Sequence, residues 1–174
     1  MLRGGVVALR VFVPQDVDRY VAHLNDPGRY NIRGYSMVSR VQVLKAYGGD
    51  CLLSDDYGVL ALDLGDREHI GYCSWCLASS AVGNLEISVE IYDPSNDTVA
   101  CRADAYRLVC RYLFDNRPVR RIQLLLFPSD EVGRDGACSI GFEKEGTLYS
   151  MVFAMGRWED LEMWSVLRES FDYS

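Results

Sequence analysis

Residues 84–96 read NLEISVEIYDPSN, and this stretch decides the fold. Leu85, Ile87, Val89 and Ile91 alternate with Glu86, Ser88, Glu90 and Tyr92. A period of two puts the apolar set on one face of a strand and the polar set on the other. The spacing predicts a strand over 85–92, ended by Asp93-Pro94-Ser95-Asn96. The period then changes. Over 98–114, Ala105, Leu108, Val109, Tyr112 and Leu113 share one helical stripe. Residues 121–127 (RIQLLLF) are strongly apolar, as a strand at the centre of a sheet should be.

Further out, residues 6–13 form a β-rich run, and Val17, Tyr20, Val21 and Leu24 behind Asp16 have helical spacing. Asn25-Asp26-Pro27-Gly28 closes that helix, residues 30–36 read as loop, and 37–47 reads as a second helix stopped by Gly48-Gly49. Strands are expected over 57–64 and 70–77, on either side of the turn signal Gly65-Asp66. A short helix over 131–140 should end at Gly141, and two strands, 147–155 and 161–167, should flank Gly156-Arg157-Trp158. The order is β-α-α-β-β-β-α-β-α-β-β. The fold class is α/β (α+β), with about seven strands and about four helices in a single domain over 1–174.

Composition narrows the function. The chain has 174 residues, 49% of them apolar, enough for a packed core. Acidic residues outnumber basic ones, 25 to 18, for a net charge of -7, which argues against a nucleic-acid protein held by phosphate contacts. No apolar run approaches the roughly 20 residues that cross a bilayer, and the first residues enter a strand pattern and not a signal-peptide core. The six cysteines are evenly spread, as in a reduced, cytoplasmic protein. Only Lys45 and Lys144 are lysines; the arginines are scattered, apart from Arg120-Arg121 beside Arg117, and codon usage explains them as well as phosphate recognition does.

Four stretches together resemble the GNAT superfamily of N-acetyltransferases, in the branch of ribosomal-protein and antibiotic acetyltransferases. Residues 9–17 (LRVFVPQDV) are similar to the opening strand and helix start, and 84–96 to the central strand. Residues 121–130 (RIQLLLFPSD) are similar to the strand before the last helix, and 141–146 with 156–160 to the closing hairpin. The resemblance implies a mixed, mostly antiparallel sheet with a V-shaped cleft between its central strands. It implies acyl transfer from acetyl-CoA or another acyl-CoA to an amine of a small-molecule substrate, with no metal, and allows a homodimer by family habit.

The departures from the family pattern lie at the cofactor site. After the central strand, whose last residue is Ile91, the family carries R/Q-x-x-G-x-G/A, whose bare N–H groups at a helix start hold the pyrophosphate. Here the matching stretch is Asp97-Thr98-Val99-Ala100-Cys101-Arg102. Asp97 replaces Arg or Gln and should cap its own helix and repel phosphate. Side chains at Ala100 and Arg102 should obstruct backbone approach, although Arg102 could serve as a cationic phosphate ligand. The family's N-x-x-A-x-x-x-Y in the last helix becomes Asp130, Gly133 and Ala137, so the tyrosine that protonates the leaving thiolate is replaced by a residue that cannot. Tyr149 or Tyr92 could stand in. Glu86 matches the family's general base for the incoming amine, and equally suits a structural hydrogen-bond partner.

Other constellations carry less. Cys73-Ser74-Trp75-Cys76 holds a C-x-x-C, but on a strand its thiols face opposite sides and make no metal pair. Cys138, beside the lost tyrosine, is a candidate nucleophile, with neither His23 nor His69 an evident base. Both histidines read as surface residues. Trp75 and Tyr92 are candidate substrate-cleft aromatics and equally good core residues. Three readings follow. The chain is a working acyltransferase with a non-standard loop, a repurposed tailoring enzyme or accessory protein of small-molecule biosynthesis acting without coenzyme A, or a non-catalytic binding module. Loss of both loop and acid favours impaired acetyl-CoA use.

Overall fold

The computed structural model describes residues 1–26, 37–54, 56–65, 68–79, 83–154 and 156–173. Among the described residues, eight strands form one sheet: β1 (Leu2–Arg3), β2 (Val7–Val11), β3 (Tyr57–Leu64), β4 (Glu68–Leu77), β5 (Asn84–Ile91), β6 (Arg121–Leu126), β7 (Glu143–Ala154) and β8 (Arg157–Leu167). Four α-helices among the described residues flank it: α1 (Val17–Leu24), α2 (Arg40–Asp50), α3 (Val99–Asn116) and α4 (Glu131–Ser139). The strand order is β1-β2-β3-β4-β5-β6-β8-β7. The β5–β6 pairing is parallel and the other described pairings are antiparallel. This is the expected mixed, mostly antiparallel fold, with one strand more than the seven read from sequence. The extra strand is β1, a two-residue edge pair of Leu2 with Leu9 and Arg3 with Ala8.

The sheet has an apolar layer on each face because its strands alternate. On one face Leu9, Leu60, Leu62, Ile87 and Val89 pack against Ala105, Val109, Leu113 and Phe114 of α3. On the other, Phe12, Val59, Ala61 and Tyr72 pack with Tyr20 and Leu24 of α1 and Tyr47 of α2. β5 shows the period of two over its whole length, each apolar residue buried and each polar residue half-buried. Asp104 of α3 accepts the Val6 and Val7 N–H groups at 2.7 and 2.9 Å, fixing the start of β2 against the helix.

The boundaries differ most from the sequence reading at α2 and in the closing hairpin. α2 runs through Gly48-Gly49 to Asp50. Two helical glycines cost about 1 kcal/mol each but do not forbid the conformation. Ser39 and Gln42 form a capping box at one end, and Cys51, at φ 57°, turns the chain at the other. β7 begins at Glu143, four residues before the expected start, and β8 begins at Arg157, four residues nearer the turn than expected, with register shifts between Lys144 and Gly146 and between Leu148 and Val152. The loop expected over 30–36 lies outside the described residues, as do Asp66 and Met155.

Candidate functional site

β5 and β6 pair at only three positions, Asn84 with Arg121, Leu85 with Ile122 and Glu86 with Gln123. Beyond Glu86 the two strands part, β5 staying with β4 and β6 with β8. The gap is a V-shaped cleft of about 330 Å³. Ile87, Val89, Ile91, Leu124 and Leu126 supply apolar walls, while Asp97, Arg102, Tyr106 and Asp130 supply polar groups from α3 and the start of α4. Gln123 Nε2 donates to Glu86 Oε2 at 2.9 Å across the apex, so the last paired residues are tied through their side chains as well.

The start of α3 forms one side of the cleft and is built differently from the sequence expectation. Thr98, not Asp97, is the N-cap, its Oγ1 accepting the Cys101 N–H at 3.2 Å. Asp97 instead takes Arg102 with both oxygens, Nε to Oδ1 at 2.6 Å and Nη2 to Oδ2 at 2.8 Å. The third contact of Arg102, from Nη1, goes to the carbonyl of Val89 on the parted stretch of β5. Arg102 is 8% exposed. Burial alone would favour losing its proton, but the hydrogen bonds to Asp97 and the nearby charges hold it firmly cationic. Two adjacent residues with capping side chains compete for one helix start, and the aspartate has the better use of its charge in the ion pair.

This arrangement fits a coenzyme A pyrophosphate poorly. The N–H groups of Val99 and Ala100 have no protein acceptor among the described residues, and they match part of what a phosphate needs. The guanidinium that could have answered a phosphate is already neutralised by Asp97 and seated on Val89. The Arg102 side chain fills the position where the family has glycine or alanine.

α4 begins at Asp130, whose Oδ1 caps Gly133 N–H at 2.8 Å. A Cβ at Gly133 would lie 2.5 Å from Asp130 Oδ2, so glycine permits this close cap. A Cβ at Gly136 would lie 2.8 Å from Arg102 Cβ, so glycine lets α4 approach α3 just behind the ion pair. Ala137 is fully buried and presents no proton donor.

The structure sorts the remaining candidates. Ile91, Asp97, Arg102 and Asp130 line the cleft, Thr98 and Ala100 lie at the adjacent helix start, and Glu86 closes the apex. Cys138 is exposed on α4 and is not among the lining residues. Trp75, 1% exposed, packs in the α3-side core against Tyr112 and under the Arg117 guanidinium, away from the cleft. Tyr92 lies on the α1 side, its hydroxyl 3.1 Å from His69 Nε2 and its ring under Arg19. Tyr149 is 80% exposed.

One residue that the sequence reading passed over, and two that it placed at the surface, enter the site or its neighbourhood. Tyr106, one turn after Arg102, lines the cleft with a buried hydroxyl. His23 and His69, expected at the surface, are buried, with side chains 7% and 12% exposed. His23 Nε2 lies 3.6 Å from Glu90 Oε2, and Ser88 Oγ donates to Glu90 Oε1 at 3.2 Å. His69 Nδ1 lies 3.5 Å from Asp63 Oδ1, and Arg10 bridges Asp63 and Asp16. Burial pushes the His69 pKa down. Asp16 is pushed up by burial, but the Arg10 hydrogen bond and the Val13 N–H hold it below its usual range. Helical spacing gave a signal for Tyr106, since i and i+4 share a face. The histidine partners are distant in sequence and gave none.

Among the described residues, no group of three or more His, Cys, Asp or Glu could hold a metal ion, and no helix is long and apolar enough to cross a membrane.

Comparison with known proteins identifies the fold. No family model matches the chain, and no curated protein matches it in sequence. Solved structures do match. A spermidine N-acetyltransferase from Vibrio cholerae, in complex with CoA and spermine, superposes with a TM-score of 0.81 at 16% identity, over 96% of this chain and 98% of that one. A GNAT-family acetyltransferase from Bacillus anthracis superposes with a TM-score of 0.75 at 16% identity, over 97% and 98% of the two chains. The fold is that of the GNAT acetyltransferases.

Proposed function

We propose that this chain is a GNAT-fold protein descended from enzymes that transfer an acyl group to an amine, in which acetyl-CoA use is impaired and the cleft serves a smaller ligand. The single observation that carries this reading is the Asp97–Arg102 ion pair seated on the Val89 carbonyl. It places a side chain, a neutralised cation and an extra carboxylate where the acetyl-CoA-dependent fold needs bare backbone. The absence of a proton donor at Ala137 supports the same reading, because a thiolate leaving group needs one.

The single domain over 1–174 then acts as a cytoplasmic small-molecule protein, with Glu86 a structural tie to Gln123 at the apex of the cleft. Accessory or tailoring work in small-molecule biosynthesis suits a retained cleft with altered polar groups.

The test is an assay of thiol release from acetyl-CoA in the presence of primary amines, including spermidine and spermine, the class named for the Vibrio enzyme. The expected result is no release above the buffer background. Amine-dependent thiol release on the scale of ordinary enzymes, about 1–1,000 per second, would overturn the reading.

A further inference from the structure

Both histidines of the chain, His23 and His69, close on one tyrosine. Tyr92 follows β5, and its ring centroid lies 4.9 Å from that of His23 and 5.1 Å from that of His69. His23 belongs to α1 and His69 to β4, so the cluster spans the seam between that helix and the sheet. α1 adds Arg19, whose guanidinium lies 5.2 Å over the Tyr92 ring and whose Nη1 donates to the His69 carbonyl at 2.5 Å. Asp16, just ahead of α1, takes two hydrogen bonds from Arg10 of β2, and Arg10 Nε reaches Asp63 of β3 at 2.6 Å.

These contacts suit a neutral His69. Its Nε2 lies 3.1 Å from the Tyr92 hydroxyl, and its Nδ1 lies 3.5 Å from Asp63 Oδ1. Neither Nδ1 nor Asp63 Oδ1 has a hydrogen-bond partner in closer range among the described residues. A lone pair on Nδ1 would face a carboxylate oxygen, so the proton belongs on Nδ1, and Nε2 accepts from Tyr92. A second proton, on Nε2, would turn the Tyr92 O–H away and place a third cation beside Arg10 and Arg19. The carboxylates that face His69 are Asp63 and, at 4.0 Å, Asp16, and Arg10 already holds both. Phe12 covers the ring edge-on at 5.7 Å. Burial accordingly pushes the His69 pKa down. His23 differs, since a charge there would be drawn to Glu90, 3.6 Å away.

α1 has little else to hold it. Its eight residues are too few to stay helical alone in water, and Val17 is its one buried residue. Tyr20 and Leu24 add half-buried contacts to the Phe12 layer, which is separate from the larger core under α3.

We propose that α1 is a pH-sensitive flap: protonation of His69 drives Arg19 off Tyr92 and releases α1 from the sheet, while the core under α3 stays folded. Release also parts His23 from Glu90, which lines the cleft, so acid alters one wall of the cleft. The assignment does not depend on what the cleft binds. A released His69 has the ordinary pKa of about 6.5, above that of the docked ring. Opening therefore takes up a proton and grows as pH falls below about 6.5.

The test is amide hydrogen exchange of the full chain, read as protection factors. At pH 5.5 the amides of Val21, Ala22, His23 and Leu24 should be less protected than those of α3 by about tenfold or more. Their protection should fall about threefold or more between pH 7.5 and 5.5 in the wild type and hold steady in His69→Gln. Protection of α1 equal to that of α3 would mean that His69 titrates only in global unfolding, and would overturn the proposal. An α1 that ignores pH, or an equal fall in His69→Gln, would overturn it too. A pH series on the wild type alone covers the case in which the variant does not fold. There the loss of α1 protection should set in below about 6.5 and level off past the midpoint of the His69 ring signal. A loss that tracks the His23 ring instead would contradict the assignment.

Discussion

Asp97 and Arg102 grip each other with two hydrogen bonds, 2.6 and 2.8 Å long, across the first turn of α3. The pair is five residues apart and depends on Thr98 taking over the cap, since an aspartate at the N-cap could not also reach the guanidinium with both oxygens. Through Arg102 the pair also ties α3 to the parted stretch of β5. One interaction thus fixes the helix start, one wall of the cleft and the charge within it.

Breaking that pair should cost stability. Asp97→Asn leaves a buried guanidinium with its main partner gone. Loss of one member of a fully buried pair costs about 3–5 kcal/mol, and because the Asp97 side chain is 24% exposed the loss here should be smaller, about 2 kcal/mol. Thermal unfolding should show a melting temperature lower by roughly 4–8 °C. An unchanged midpoint would show that water replaces the carboxylate without cost.

Acidification should weaken the fold in two stages. His69 is buried neutral among Asp16, Asp63, Arg10, Arg19 and Tyr92, and its folded pKa lies below the ordinary 6.5. The unfolded chain therefore binds a proton first, and stability falls as pH drops below about 6.5. Asp16 is held below its ordinary 3.8, so its contribution persists to lower pH and is lost only as pH falls through that depressed value. Melting temperatures between pH 7.5 and 5.5 should decline in the wild type and decline less in His69→Gln. Parallel curves for the two proteins would remove His69 as the cause.

The cysteines should divide by burial. Cys51 and Cys138 are exposed, while Cys73, Cys101 and Cys110 are buried. Burial pushes the Cys73 and Cys110 thiols up, out of the reactive range. A disulfide reagent at pH 8 should label Cys51 and Cys138 quickly and the three buried thiols only after denaturation. Rapid labelling of Cys73, Cys101 or Cys110 in the folded protein would contradict this division.

The sequence made the fold legible where local pattern and tertiary role agree. In β5 the alternation of Leu85, Ile87, Val89 and Ile91 with polar residues survives intact because α3 covers one face and α1 borders the other. Gly48-Gly49 misled because the capping box of Ser39 and Gln42 outweighs two glycines. β1 escaped notice because two residues carry no period. At the site, the identities of Asp97, Arg102, Gly133 and Ala137 were readable as departures. Their pairing was not, since Asp97 and Thr98 are both good caps and only the position of Val89 shows where Arg102 is drawn. His23 and His69 were misplaced for the same reason: Glu90, Asp63 and Tyr92, which enclose them, are remote in the chain.

The most direct measurement is a calorimetric titration of acetyl-CoA into the wild type and into the Asp97→Gln, Arg102→Ala double variant. The substitutions restore residues the family pattern accepts and remove the side chain from the cleft. The account predicts no saturable binding by the wild type at micromolar concentrations and a gain of at least tenfold in affinity for the double variant. A one-to-one micromolar isotherm for the wild type, unaltered by the two substitutions, would contradict it.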